Sequence, residues 1–144
     1  MAKISASTSQ PMDNVLLFDT VDEDTNNMVN LSESPSYIFP QRPGLYRARL
    51  YVEVGTTGSA SSSFIIQLDA AQPVGSFIPI LPAGNPILQI VDPNLVNSVS
   101  YSLEAFFRFT EPNSRIFGQV SIGSVAGTPT TVNRAELDAE WMAD

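Results

Sequence analysis

Leu45-Tyr-Arg-Ala-Arg-Leu-Tyr-Val-Glu-Val54 alternates without a break. Tyr46, Ala48, Leu50, Val52 and Val54 fall on one side, and Arg47, Arg49, Tyr51 and Glu53 on the other. A period of two is that of a strand with one face in a core and one in water. The same rule holds over residues 98–110. There Val99, Tyr101, Leu103, Ala105, Phe107 and Phe109 face inward, while Ser100, Ser102, Glu104 and Arg108 face outward. That run is long for a strand, so the expectation is a bend or bulge inside it.

Working outward from these two runs, further strands are expected at residues 15–20, 36–39, 64–69, 77–81, 87–91, 115–122 and 135–142. The breaks between them carry turn chemistry. Gly55-Thr-Thr-Gly58, Pro82-Ala-Gly-Asn-Pro86, Asp92-Pro-Asn94, Glu111-Pro-Asn113 and Gly127-Thr-Pro129 all separate apolar runs. The last segment, Ala135-Glu-Leu-Asp-Ala-Glu-Trp-Met142, uses good helix formers, yet its apolar and acidic residues alternate strictly. The period favours a strand with Ala135, Leu137, Ala139 and Trp141 inward. About nine short strands with no helical pattern between them imply an all-β sandwich or jelly roll. A chain of 144 residues is long enough for one core and too short to expect two. Residues 1–12, small and polar, read as a flexible N-terminal arm ahead of a single domain over 13–144.

Composition narrows the function. The net charge is −8, with seven basic residues of which Lys3 is the sole lysine. Phosphate neutralisation needs clustered Lys and Arg, so nucleic acid is not an expected partner. The chain has no Cys and no His, which removes the disulfide frameworks, the usual catalytic triads and the common zinc sites. A carboxylate pair could run glycoside hydrolysis, and Glu53, Asp69, Glu104 and Glu111 are the conceivable members. Their strand phase and turn positions make them solvated residues instead, so no catalytic residue is assigned and no cofactor is expected. No window is apolar for long enough to span a membrane, and the N-terminus lacks the apolar stretch of a signal peptide.

The segments Phe18-Asp-Thr20, Asp24-Thr25, Met28-Val29, Tyr37-Ile-Phe-Pro40 and Pro43-Gly-Leu-Tyr46 resemble the opening of the C1q/TNF-like jelly-roll domains. In those domains an early strand ends in a Phe-Asp-Thr-like segment and a later one begins after Pro-Gly. The match is specific over residues 15–54 and loose beyond. It implies a jelly roll of eight to ten antiparallel strands that associates as a homotrimer and serves as a binding head. This sequence has no collagen-like stalk and no cysteine. It is therefore more similar to the stand-alone versions found in tailed bacteriophages as capsid decoration (cement) proteins or tail-fibre heads.

Three groups of residues are candidate sites. Asp19, Asp22 and Asp24 form an acidic segment that could hold calcium, although the spaced loop pattern of such sites is missing. Tyr51, Ile65, Phe106 and Phe117 occupy the outward phase of strands whose inward phase is already apolar. A contiguous patch of that kind marks an interface, here the expected trimer contact. Lys3, Ile4 and Met12 are the anchoring residues of the arm, which would order against a major capsid protein. The expected function is thus a trimeric decoration protein on the outer surface of a phage head, made in the host cytoplasm. The alternative is a receptor-binding head of a tail fibre or spike. The missing coiled-coil or triple-helical stalk tilts the choice towards decoration.

Overall fold

In the computed structural model, the described residues are 1–11, 14–56, 62–71, 78–81, 87–92, 99–111, 113–125 and 130–144. Most of the expected turns at 55–58, 82–86, 92–94 and 127–129, together with Met12, lie outside them. Eleven strands run through the described residues, and no helix does. They are β1 (Ala2–Ala6), β2 (Gln10–Pro11), β3 (Asn14–Val15), β4 (Thr20–Asp24), β5 (Gly44–Thr56), β6 (Ser62–Ala71), β7 (Ile78–Leu81), β8 (Ile87–Asp92), β9 (Val99–Phe109), β10 (Arg115–Val125) and β11 (Thr130–Ala143).

Two antiparallel sheets form a jelly roll. One has the order β4-β1-β11-β5-β9-β7, with β2 also on β11; the other has the order β3-β10-β6-β8. From β5 to β11 each successive strand lies in the sheet opposite to the one before it. No two of β11, β5 and β9, which lie side by side, are therefore consecutive in sequence. The ambiguous C-terminus is a strand, and Ala135, Leu137 and Ala139 are fully buried as its period requires. Trp141 is only half-buried, packed at the margin of the core. Strand β9 pairs with β5 from Gly44↔Phe109 to Val54↔Val99 without a shift. The bulge expected inside β9 is absent because two long antiparallel strands twist together and need no extra residue. Extra residues sit on neighbouring strands instead, at Asn133 and Met142 of β11 and Gly123 of β10.

The core shows how the inner faces fit. Across the first sheet, Ala2, Ala139, Ala48 and Ala105 lie in one register row, and Ile4, Leu137, Leu50 and Leu103 in the next. The leucine row reaches the second sheet at Gly118, where a Cβ would stand 2.8 Å from Leu50 Cδ1. A small residue facing a large one lets the two layers interdigitate at native density. At one end Tyr46, Phe107 and Phe109 form an aromatic cluster, with Tyr46 edge-on to Phe109 at 5.7 Å. Each such buried ring contributes roughly 3 kcal/mol of transfer free energy.

The N-terminal segment departs from expectation. Residues 2–6 are not a flexible arm: β1 lies between β11 and β4, paired on both sides, with Ala2 and Ile4 fully buried. Ser and Lys at alternate positions hide a period-two pattern of small apolar residues, Ala2, Ile4 and Ala6, which two neighbouring strands suffice to order. Residues 16–19 and 36–39 are not strands as expected; in the latter only Ile38 bridges, to Val29 and Ile116.

Candidate interaction surface

The alternation that buries β5 also presents Arg47, Arg49 and Tyr51 on the outer face of the larger sheet. Register then aligns them with acids. Glu140, Arg47 and Phe106 form one row, Asp138, Arg49 and Glu104 the next, and Glu136, Tyr51 and Ser102 the third. Arg47 Nη2 lies 2.7 Å from Glu140 Oε2, Arg49 Nε 2.9 Å from Asp138 Oδ1, and Arg134 Nη2 2.8 Å from Glu136 Oε1. Lys3 of β1 reaches the same Glu136 at 3.7 Å. The hydrogen bond from Arg49 to Asp138, with that carboxylate's charge, holds the guanidinium above its ordinary pKa. The Arg47–Glu140 and Arg49–Asp138 pairs are partly solvated, so each contributes at most about 1 kcal/mol. Their effect is to order long side chains on a flat sheet.

Between them opens a groove of about 400 Å³, lined by Lys3, Arg49, Tyr51, Glu104, Glu136 and Asp138 among others. Tyr51 and Ser100 share a hydrogen bond of 2.9 Å between their hydroxyls, and the Arg134 guanidinium stands 6.0 Å above the Tyr51 ring. The surface is thus a half-buried aromatic side chain held in a ladder of closed ion pairs.

No family model matches the chain, and no curated protein matches it. A solved structure does. The globular domain of zebrafish complement 1qA protein covers 99% of this chain and 98% of that one, with a TM-score of 0.68 at 11% sequence identity. The fold is that of a C1q globular domain. The C1q-like jelly roll is therefore established as the architecture of the described residues, β1 included, and the likeness concerns the fold alone.

On this C1q-like frame the four expected interface residues do not form one patch. Tyr51 and Phe106 lie on the outer face of the larger sheet, and Ile65 and Phe117 on the outer face of the smaller one, so the sandwich stands between the pairs. Phe117 is moreover covered by the crossing segment 35–39, its ring edge-on to Tyr37 at 5.7 Å, with Tyr37 in turn against Phe39. Of the expected arm residues, Ile4 is wholly inside the core and is no anchoring residue. Lys3 belongs to the charged outer face.

The acidic segment does not gather into a calcium site either. Strand β4 stretches it at about 3.3 Å per residue, which sets Asp19 and Asp24 roughly 15 Å apart, far beyond one ion's coordination sphere. Asp19 accepts from Ser7 N, Ser7 Oγ and Thr20 Oγ1, which holds its carboxyl below the ordinary 3.8. Asp24 accepts from the backbone amides of Met28 and Val29. Asp22 is the extra residue where the pairing of β4 with β1 shifts. The sequence reading overlooked the acids Glu136, Asp138 and Glu140 as partners of Arg47 and Arg49. Their signal was present: two alternating strands whose outward phases carry opposite charge.

Proposed function

We propose that this chain is a homotrimeric binding protein without catalytic activity, and that it serves as a capsid decoration protein on the outer surface of a phage head. The observation that carries self-association is the outer face of the larger sheet. Tyr51 and Phe106 are set there among ion pairs that leave few uncompensated charges to desolvate, which favours burial against a second copy. Three copies on a closed axis would bury this face and present three equivalent surfaces to a shell, so that weak contacts multiply through effective concentration. With β1 part of the sheet, attachment to the major capsid protein falls to surfaces of the folded sandwich and not to a free arm.

Sedimentation equilibrium at micromolar concentration is expected to return three times the 15.6 kDa chain mass. A monomer would overturn the reading. Electron microscopy of virions would then separate the roles: density over the shell where capsid subunits meet supports decoration, whereas density confined to fibre tips would make the chain a receptor-binding head.

A further inference from the structure

At the end of the sandwich where both termini lie, two cavities of about 300 and 200 Å³ adjoin, sharing Met28 and Gln41 in their walls. The groove they make is held open by the backbone around it. Asp24 caps residues 28 and 29, Phe39 N donates to Met28 O at 2.7 Å, and the Ser114 hydroxyl, fully buried, donates to Glu111 O. The last bond sets the loop that presents Asn113.

The lining is rich in side-chain amides. Asn27 and Asn113 both line the larger cavity, and both adopt a left-handed backbone, with φ of 55° and 62°. They are the non-glycine residues with positive φ among the described residues. Asparagine tolerates that conformation largely because its side chain can bond locally, yet here neither side chain has a hydrogen-bond partner among the described residues. Both amides are exposed at the wall of the larger cavity, near Asn30, which is bonded to Glu33 and Ser32, and Gln41, which donates to Phe39 O. In the smaller cavity the Arg42 guanidinium lies flat on the Trp141 ring, 3.4 Å from its centroid. It pairs with no carboxylate among the described residues. Stacking holds the guanidinium in place; part of its N–H edge meets the Tyr46 hydroxyl, and the rest faces the cavity, where a carboxylate can pair with it.

We propose that this groove binds a short oligosaccharide, with a carboxylate-bearing sugar seated at Arg42 and neutral sugar hydroxyls paired with Asn27 and Asn113. An amide offers a donor and an acceptor side by side, which matches vicinal hydroxyls. An extended peptide would call for a free strand edge to pair with, whereas these walls come mainly from residues between strands, at 26–30, 33–34, 39–42 and 113. The site is independent of trimerisation and of the virion setting.

The test presents the full chain to an array of neutral oligosaccharides and their uronic- or sialic-acid counterparts, with a tetraglutamate peptide as a second anion. Hits are titrated by NMR. Acidic oligosaccharides are expected to bind, to shift the amides of residues 26–30, 41–42 and 113, and to exceed their neutral counterparts by about tenfold, as one charged hydrogen-bonded pair supplies. Arg42→Gln should abolish that preference. Asn27→Gly with Asn113→Gly, which suits the backbone and removes only the amides, should weaken acidic and neutral sugars alike without lowering the melting temperature. Absence of any saccharide hit, binding unchanged by these variants, or tighter binding of the peptide would each overturn the proposal.

Discussion

At the residue scale, two glycines and one carboxylate show how tightly this chain is specified. Gly44 has φ +137°, and a Cβ there would meet Ala143 O at 2.5 Å and Trp141 Nε1 at 2.6 Å. The start of a strand after Pro43-Gly44 was legible in the sequence through the resemblance, but the close approach of β11 was not. Gly118 carries no turn signal at all; its reason is Leu50 of the opposite sheet. Gly118→Ala is expected to destabilise the fold by about 1–3 kcal/mol through overpacking. In a Leu50→Val background the loss should shrink, a coupling that denaturant melts in a double-mutant cycle would measure. Asp19 gives a pH dependence. Its folded pKa is depressed below 3.8 because Ser7 and Thr20 donate to the charged form. Its contribution is therefore complete above the unfolded value and lost as pH falls through the folded one. Melting temperatures recorded between pH 6 and pH 2.5 should fall less steeply below pH 4 for Asp19→Asn than for the parent protein.

At the element scale, strands β5 to β11 were legible in the sequence, the short β7 and β8 included, whereas β1, β2 and β4 were not. Strands β5, β9 and β11 each bury a run of alternate apolar residues, so period alone identifies them. Strands β1 and β4 have too few large side chains to stand out. They exist because β11 offers β1 a complete ladder edge from Ala2↔Ala139 to Ala6↔Ala135, and β1 then offers one to β4. Edge β4 ends the sheet with Asp22, Glu23 and Asp24, charges that discourage pairing with a further strand. The role of β1 makes a clear prediction. Ile4→Ala should destabilise the fold by about 2–5 kcal/mol, the range for a buried aliphatic truncation, and deletion of residues 2–6 should leave no cooperative unfolding transition by circular dichroism. A flexible arm would show neither effect.

At the scale of the whole molecule, the question is which faces of a C1q-like sandwich remain open to partners. Phe106→Arg on the outer face of the larger sheet should convert the proposed trimer to monomers in sedimentation while leaving the melting transition intact, because Phe106 is half-buried and outside the core. Phe117→Arg, on the opposite sheet and under Tyr37, should leave the assembly state unchanged. The contrast tests which of the two outer faces is the contact. The sequence by itself determined the all-β class, the inward and outward phase of the long strands and, through the missing His and Cys, the exclusion of the commonest catalytic chemistries, because these depend on composition and on a local period of two. Only the tertiary structure decided which sheet each strand joined. Phase states the side of a strand on which a residue lies, but not the sheet to which that strand belongs. Hence the four apolar residues of outward phase, each half-buried, divide between two opposite faces. For the same reason the ion-pair ladder, the buried N-terminal strand and the amide-lined end groove became visible only once residues far apart in sequence were brought into register.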